Sequence, residues 1–272
     1  MNNFDKLNEV IKYIELNLTN EISIEKICKI LCVNEYTLYR IFNFITGISL
    51  TEYIRKRRLS MAGLELINSN IKIIDLSLKY GYDSPISFSR AFKKFHGIKP
   101  SVIKRDSKYL KNFPPYTFAS DIYNNFELDF KIQKENELNF YTFFKKCNLQ
   151  DIKIIAPSFW KEIESSNKYT EIFTDTTFGI IEYDELFPNP KTAKYHIASK
   201  KYFCNSSKLA IPESTWAVFN VKEISGESMS KLSFYVYKNW IPYSGYNIRN
   251  IPELEVYYKD HTEWWLPIEK NE

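Results

Sequence analysis

Between Asp5 and Leu18 the apolar residues Leu7, Val10, Ile14 and Leu18 recur at the spacing of one helix face, which predicts a first helix. Ser23 supplies an N-cap for a second, Ile24 to Cys32, with Ile24, Ile27, Cys28 and Leu31 on one side. After a tight joint at Val33, Asn34 caps a third helix that runs through Ile45 and stops at Gly47. Its positions Leu38, Ile41, Phe42 and Ile45 face inward, and Tyr36, Tyr39, Arg40 and Asn43 form the other face. The cycle then returns. Ser49 to Asn68 reads as a long helix carrying Arg55, Lys56, Arg57 and Arg58, and Ile73 to Tyr80 as a short one ended by Gly81. Asp83 or Ser84 caps the next, with Pro85 at its first position, where a missing N–H is no loss. That helix reaches His96, buries Phe88, Ala91, Phe92 and Phe95, and exposes Ser87, Arg90, Lys93 and Lys94. Gly97 stops it and Pro100 begins a last short helix. Helix, short turn, helix thus occurs twice, with Arg40 and Arg90 in comparable places of their second helices, a geometry that lays a helix in the DNA major groove.

Lys104 to Ser120 mixes Lys and Ser with Pro114-Pro115 and reads as a boundary. Beyond it the periods shorten. Glu127 to Gln133 and Phe178 to Tyr183 alternate apolar and polar, and Trp216 to Val221, Leu254 to Tyr258 and Trp264 to Ile268 also read as strands. Helical spacing returns at Ile155 to Glu164 and at Ser230 to Trp240. The expected fold class is an all-α N-terminal double helix-turn-helix domain of seven helices plus an α+β C-terminal domain with an antiparallel sheet. The expected ranges are 1–107, a linker at 108–119, and 120–272.

Composition separates the halves further. Residues 1–110 hold 18 Lys and Arg against 11 Asp and Glu, whereas the rest hold 19 against 22. Aromatics lean the other way, 13 in the first 110 residues and 32 afterwards, including all five Trp. A basic first part suits a polyanion, and an acidic, aromatic second part suits a pocket for an apolar or cationic molecule. Four Cys in 272 residues fit reduced thiols. No apolar run reaches the length of a membrane span, and Met1 to Asp5 carries no basic-then-apolar leader, so the expectation is a cytoplasmic protein without a membrane partner. Cys28 and Cys32, one turn apart, lack further ligands nearby and read as core cysteines; neither metal nor cofactor is expected. His196 and His261 read as isolated surface residues.

Ile54-Arg55-Lys56-Arg57-Arg58-Leu59, the run Tyr80 to Lys94 (YGYDSPISFSRAFKK), and His96-Gly97-Ile98-Lys99-Pro100-Ser101 resemble the AraC/XylS family of bacterial transcription regulators over about residues 5–107. The resemblance implies two reading helices that enter successive major-groove segments of double-stranded DNA. Arg40 and Arg90 are the expected base readers, since Arg bonds guanine O6 and N7 together. Tyr36, Thr37, Tyr39, Asn43, Ser84 and Ser87 are secondary candidates, and Arg55, Arg57, Arg58, Lys93 and Lys94 are expected at phosphates. One or two members of the basic run 55–58 are equally expected in salt bridges within the domain.

In the second half, Trp216-Ala217-Val218-Phe219 followed by Gly226, the run Asn239 to Tyr246, Leu254 to Tyr257 and Glu263 to Ile268 resemble the gyrase-inhibitor-like effector-binding domain, which follows the DNA-binding part in Rob-like members of the AraC/XylS family. The resemblance implies two strand–helix–strand–strand modules with a cleft between them. Alternation puts Leu254, Val256 and Tyr258 on one face and Glu255 with Tyr257 on the other. Glu255 beside Tyr257, Trp216 and Trp265 would hold an aromatic or cationic effector by charge and ring faces, while the alternative is a carboxylate with a structural role. The leading reading is a sequence-specific regulator, not an enzyme, that senses a small molecule, works as monomer or homodimer and has RNA polymerase as a further partner. Two alternatives stay open: a hydrolase of reactive xenobiotics with Glu255 or Glu263 as general base, and a protein-interaction module without a small ligand.

Overall fold

A computed structural model of the chain describes residues 4–103, 107–118, 128–166, 172, 176–183, 192–221 and 226–271. They form two compact units: Met1–Leu31 with Ile48–Tyr123, and Cys32–Gly47 with Asn124–Glu272. The expected ranges followed chain order; here the segment 32–47 belongs to the second unit. The expected start of the second domain at 120 lies outside the described residues.

The first unit is helical. Helix α1 (Phe4–Leu16) buries Leu7, Val10, Ile11 and Ile14 at the predicted period. Helix α2 spans Ile24–Leu31 and buries Ile27 and Leu31. Numbered in chain order, α3 (Glu35–Thr46) belongs to the other unit. Helix α4 (Leu50–Asn68) is capped by Ser49, whose hydroxyl accepts from Glu52 N. Helices α5 (Ile73–Lys79), α6 (Pro85–His96) and α7 (Pro100–Ile103) follow. Ser84 caps α6 by accepting from Ser87 N, and Gly97 closes it at φ 89°, a left-handed turn that a Cβ would strain. Leu59, Ala62, Leu66, Leu76, Phe88, Phe92 and Ile103 make one core. The expected linker does not hang free: Phe118 N and O exchange bonds with the Asn8 side chain (2.9 Å each), Phe113 N donates to Ser60 Oγ (3.0 Å), and Tyr116 stacks on Tyr53 at 5.2 Å.

The second unit is built on an antiparallel sheet of nine strands among the described residues. They are β1 (Phe130–Glu135), β2 (Leu138–Asn148), β3 (Thr176–Tyr183), β4 (Thr192–Ser199), β5 (Ser207–Ile211), β6 (Ser214–Val221), β7 (Tyr246–Ile248), β8 (Glu253–Tyr258) and β9 (Thr262–Lys270). The order is β1-β6-β9-β8-β3-β4-β2-β5, with β7 on β9. Helix α8 (Ile152–Ser165) lies between β2 and β3 in sequence; α9 (Gly226–Tyr235), a π-helical turn at Val236–Trp240 and α10 (Ile241–Ser244) lie between β6 and β7. The chain therefore repeats strand, helix, strand, strand: β2-α8-β3-β4 and β6-α9-β8-β9. The two modules meet where β3 pairs with β8, with Gly179 opposite Glu255.

That register sorts the side chains. Phe178, Ile180, Leu254, Val256, Trp216, Val218 and Trp265 share one buried cluster. Gly179, Ile181, Glu253, Glu255 and Tyr257 alternate to the opposite face, together with Trp264, which pairs with Glu255 across β8 and β9. On that face Tyr195 and Ile197 of β4 pack with Phe159 and Ile163 of α8.

Candidate functional site

In the helical unit, α6 presents what the sequence promised. Ser87, Arg90, Lys93 and Lys94 are exposed and fall at helical spacing on one side, while Ser84 is spent on the cap. The basic run of α4 is largely committed to the unit itself. Arg55 forks onto Glu52 (Nε to Oε2 2.9 Å, Nη2 to Oε2 2.6 Å) and keeps part of its surface open. Arg58 donates to the carbonyls of Leu18 (2.8 Å) and Asn20 (2.9 Å) in the turn that follows α1. Arg57 departs most clearly from the exposed position expected of it: it is buried, forks onto Glu15 (2.8 and 2.6 Å) and donates to Phe113 O.

Helix α3 is a second correction. Asn34 caps it as predicted, with Oδ1 accepting from Thr37 N at 2.8 Å. Its other face does not turn to solvent. Thr37, Tyr39 and Arg40 are buried, Tyr36 and Asn43 half-buried, and all but Thr37 line a cavity of about 980 Å³ within the second unit. Cys32, expected in the core, is exposed in the left-handed turn just before this helix (φ 57°).

The cavity sits against the face of β3 and β8 that carries the acidic residues, with α3, α8 and α9 contributing walls. At its floor, Tyr195 Oη donates to Glu255 Oε2 (2.5 Å) and Tyr257 Oη donates to the same oxygen (2.9 Å). Trp160 Nε1 of α8 donates to Tyr195 Oη (2.8 Å) and so fixes the phenol's direction. Oε1 of Glu255 receives no hydrogen bond, and the carboxylate has no ion-pair partner, among the described residues. Glu255 is reached from the cavity but hemmed in by protein, and this burial raises its carboxyl above the usual range. The two phenols pull it down, and Glu253, one strand repeat away, pushes it up. Gly179 makes the arrangement sterically possible: a Cβ there would run into Tyr195 Oη and Glu255 Oε2. Glycine is thus needed for close approach, and Gly179→Ala would displace the carboxylate from its two phenols.

Glu253 lies on the same face with a different set of partners. Its Oε1 accepts from Arg40 Nη2, from Tyr237 Oη (2.7 Å) and from Tyr183 Oη (3.3 Å), and its Oε2 from Trp264 Nε1 (3.3 Å). Both members of the Arg40–Glu253 pair are buried. The Arg40 guanidinium carbon lies 3.7 Å from the Tyr183 ring centre, and Tyr36 Oη accepts from Nη1 at 3.2 Å. Burial alone would lower the guanidinium's proton affinity; the surrounding phenols and Glu253 outweigh it and hold the ion charged.

Of the four ligand residues expected from sequence, the structure brings Glu255 and Tyr257 into the cavity. Trp216 and Trp265 lie on the reverse face in the core, because the β8–β9 register sets Trp265 opposite Leu254 and Trp264 opposite Glu255. Glu253, Tyr183, Tyr195, Tyr237 and Trp160 also line the cavity and were not expected from the sequence. Glu253 carried a signal, since extending the alternation of Leu254 to Tyr258 back by one residue puts it next to Leu254 and on the same side as Glu255. Of the two histidines, His196 differs from expectation: it is buried, between Thr142 Oγ1 (3.2 Å) and Glu182 Oε2 (3.0 Å), and burial lowers its proton affinity. His261 lies at the surface as expected, though not isolated, since it pairs with Asp260 at 2.7 Å.

Residues 27–106 match the helix-turn-helix domain family HTH_18, and residues 128–269 match the GyrI-like small molecule binding domain. The HTH-type transcriptional activator AarP of Providencia stuartii is 41% identical over 98 residues, 36% of this chain and 73% of that protein. The transcriptional regulator Rob of Salmonella typhimurium is 30% identical over 103 residues, 38% of this chain and 36% of that protein. Among solved structures, a bacterial transcription regulation protein of Staphylococcus aureus MU50 aligns at 14% identity and TM-score 0.44, over 53% of this chain and 99% of that one. No helix among the described residues is long and apolar enough to cross a membrane. The chain belongs to the AraC family of DNA-binding transcription regulators, with a GyrI-like small-molecule binding domain as its C-terminal part.

Proposed function

We propose that this regulator senses a bulky aromatic monocation, with Glu255 as the counter-charge, and reads DNA bases through Arg90 and Arg40. One observation carries the ligand class: an acidic oxygen recessed in a roomy cavity walled by rings, held by two phenols and matched by no cation of the described residues. A carboxylate so placed draws a cation by charge, and the rings of Trp160 and Tyr257 line the cavity beside it. Binding rather than catalysis is the better reading of Glu255, because two phenols fix the carboxylate through Oε2 and no water-activating group adjoins it among the described residues. The expected effector pair for the test is tetraphenylphosphonium and the uncharged triphenylphosphine oxide, titrated into the full chain by calorimetry. The cation should bind at least about tenfold more tightly; equal affinity, or no binding of the cation, would remove the charge-based reading.

On the DNA side, the exposed polar face of α6 supports its role as a reading helix, and Lys93, Lys94 and Arg55 are assigned to phosphates on charge and exposure. With a duplex enriched from a random-sequence library, Arg90→Ala should weaken binding by about 1–3 kcal/mol and relax one base position. Lys93→Ala should instead lower the slope of log affinity against log salt by about 1, with specificity retained. An Arg90→Ala footprint identical to the parent's would take Arg90 out of the reading set. Action at RNA polymerase, as monomer or homodimer and in the cytoplasm, completes the proposal.

A further inference from the structure

We propose that Arg40 is a tethered cation occupying the cage that an aromatic cation would use, so that binding the effector and releasing helix α3 from the cavity are one exchange. The inference rests on the cavity being the effector site and adds how that site is regulated. The cage has the chemistry of a cation receptor: a buried carboxylate, Glu253, with the rings of Tyr183, Tyr237 and Tyr36 at 3.7, 5.6 and 5.9 Å from the guanidinium carbon. Arg40 is the side chain that fills it. Neighbouring contacts hold the same helix in place. Phe44 stacks on Tyr237 at 4.3 Å and 10°, Thr37 Oγ1 accepts from Ile248 N (2.8 Å), and Asn34 N donates to Asn247 Oδ1 (2.7 Å).

A helix whose Tyr36, Tyr39, Arg40 and Asn43 line a cavity cannot lay those side chains in a major groove, so the docked arrangement is closed to DNA at this reading helix. The exchange explains why charge matters in the effector. Removing Arg40 from Glu253 without replacement leaves a buried carboxylate uncompensated, whereas an incoming cation keeps it matched. Glu255, on the same strand face one repeat of roughly 7 Å away, draws that cation close and thereby sets it against the guanidinium.

Two variants of the full chain test this, each measured for affinity to the enriched duplex and to tetraphenylphosphonium. Glu253→Gln strands Arg40 in the cage without its counter-charge. DNA affinity in the absence of the probe should rise about tenfold or more and cease to respond to it. Arg40→Gln empties the cage of its cation, and tetraphenylphosphonium affinity should rise by a similar factor, about tenfold. The second variant decides the matter should the first fail to fold. Unchanged or lowered probe affinity in Arg40→Gln, or DNA affinity unchanged in a folded Glu253→Gln, overturns the exchange while leaving the effector site standing. Failure of the parent chain to bind the cation at all would instead strike the effector reading itself.

Discussion

Replacing Glu255 by Gln should weaken tetraphenylphosphonium binding roughly ten- to a hundredfold, about 1.5–3 kcal/mol, the range of an interaction with a charged group in a sheltered site. The amide is isosteric, so the phenols of Tyr195 and Tyr257 keep an acceptor and the ring faces of the cavity stay in place; what disappears is charge. The pH dependence provides the matching test. Burial raises the Glu255 carboxyl above its ordinary value, so the proton returns to it at a higher pH than to an exposed glutamate. The anion is the cation-binding form. Affinity should therefore be full at alkaline pH and fall as pH drops through the raised pKa, with binding releasing a proton in that window. The Gln variant should show neither the fall nor the proton release. Isothermal titrations in two buffers of different ionisation enthalpy measure both; a parent chain whose affinity is flat from mildly acidic to alkaline pH, or a Gln variant that binds as the parent does, would place the recognition elsewhere.

The second large effect lies in the helical unit. Arg57→Ala should lower its stability by about 3 kcal/mol, because the change leaves Glu15 without its forked partner and Phe113 O without its donor. The Glu15 carboxylate keeps some solvent contact and the Tyr53 hydroxyl (3.1 Å), which is why the loss is set at the lower end for a buried pair. A unit of this size should melt about 10–20 °C earlier in calorimetry. Arg57→Lys should fall between, keeping the charge but losing the bidentate geometry. A shift near zero for Arg57→Ala would mean that the pair adds little to stability.

What the sequence revealed follows from how each element is buried. The helices were legible because each has one apolar stripe and explicit punctuation: Asn34, Ser49 and Ser84 begin helices where their side chains accept a backbone N–H, and Gly47 and Gly97 end them. Strand β1 could be seen because Phe130 and Ile132 alternate with Lys131 and Gln133. Strand β4 could not, since Tyr195, His196, Ile197 and Ala198 are all buried and both faces carry side chains that avoid water. Alternation also found Glu255 and Tyr257 without a fold. It misplaced Trp265 because Trp264 and Trp265 are equally apolar, and which one faces the cavity depends on pairing with β8, which no local pattern encodes. The same limit applies to Arg40. Its helix was predicted correctly, and so was the polar character of that face. That the face would meet Glu253 in the cavity, 213 positions along the chain, is a tertiary fact.

Arg57 teaches a related lesson. Four basic residues in succession on one helix point around more than half its circumference, so they cannot all face one partner. The structure turns Arg57 inward to Glu15 and Arg58 to the carbonyls of the turn after α1, and leaves Arg55 and Lys56 partly open beside Glu52.

The proposed exchange couples the cavity to the reading of DNA, and coupling between two ligands is reciprocal. The direct measurement is the affinity of the full chain for its enriched duplex with and without saturating tetraphenylphosphonium, together with the affinity for tetraphenylphosphonium with and without the duplex. The exchange of Arg40 for the cation predicts that each ligand tightens the other by one common factor, between about 5- and 150-fold. Duplex affinity that is unchanged by the cation, or weakened by it, contradicts the account.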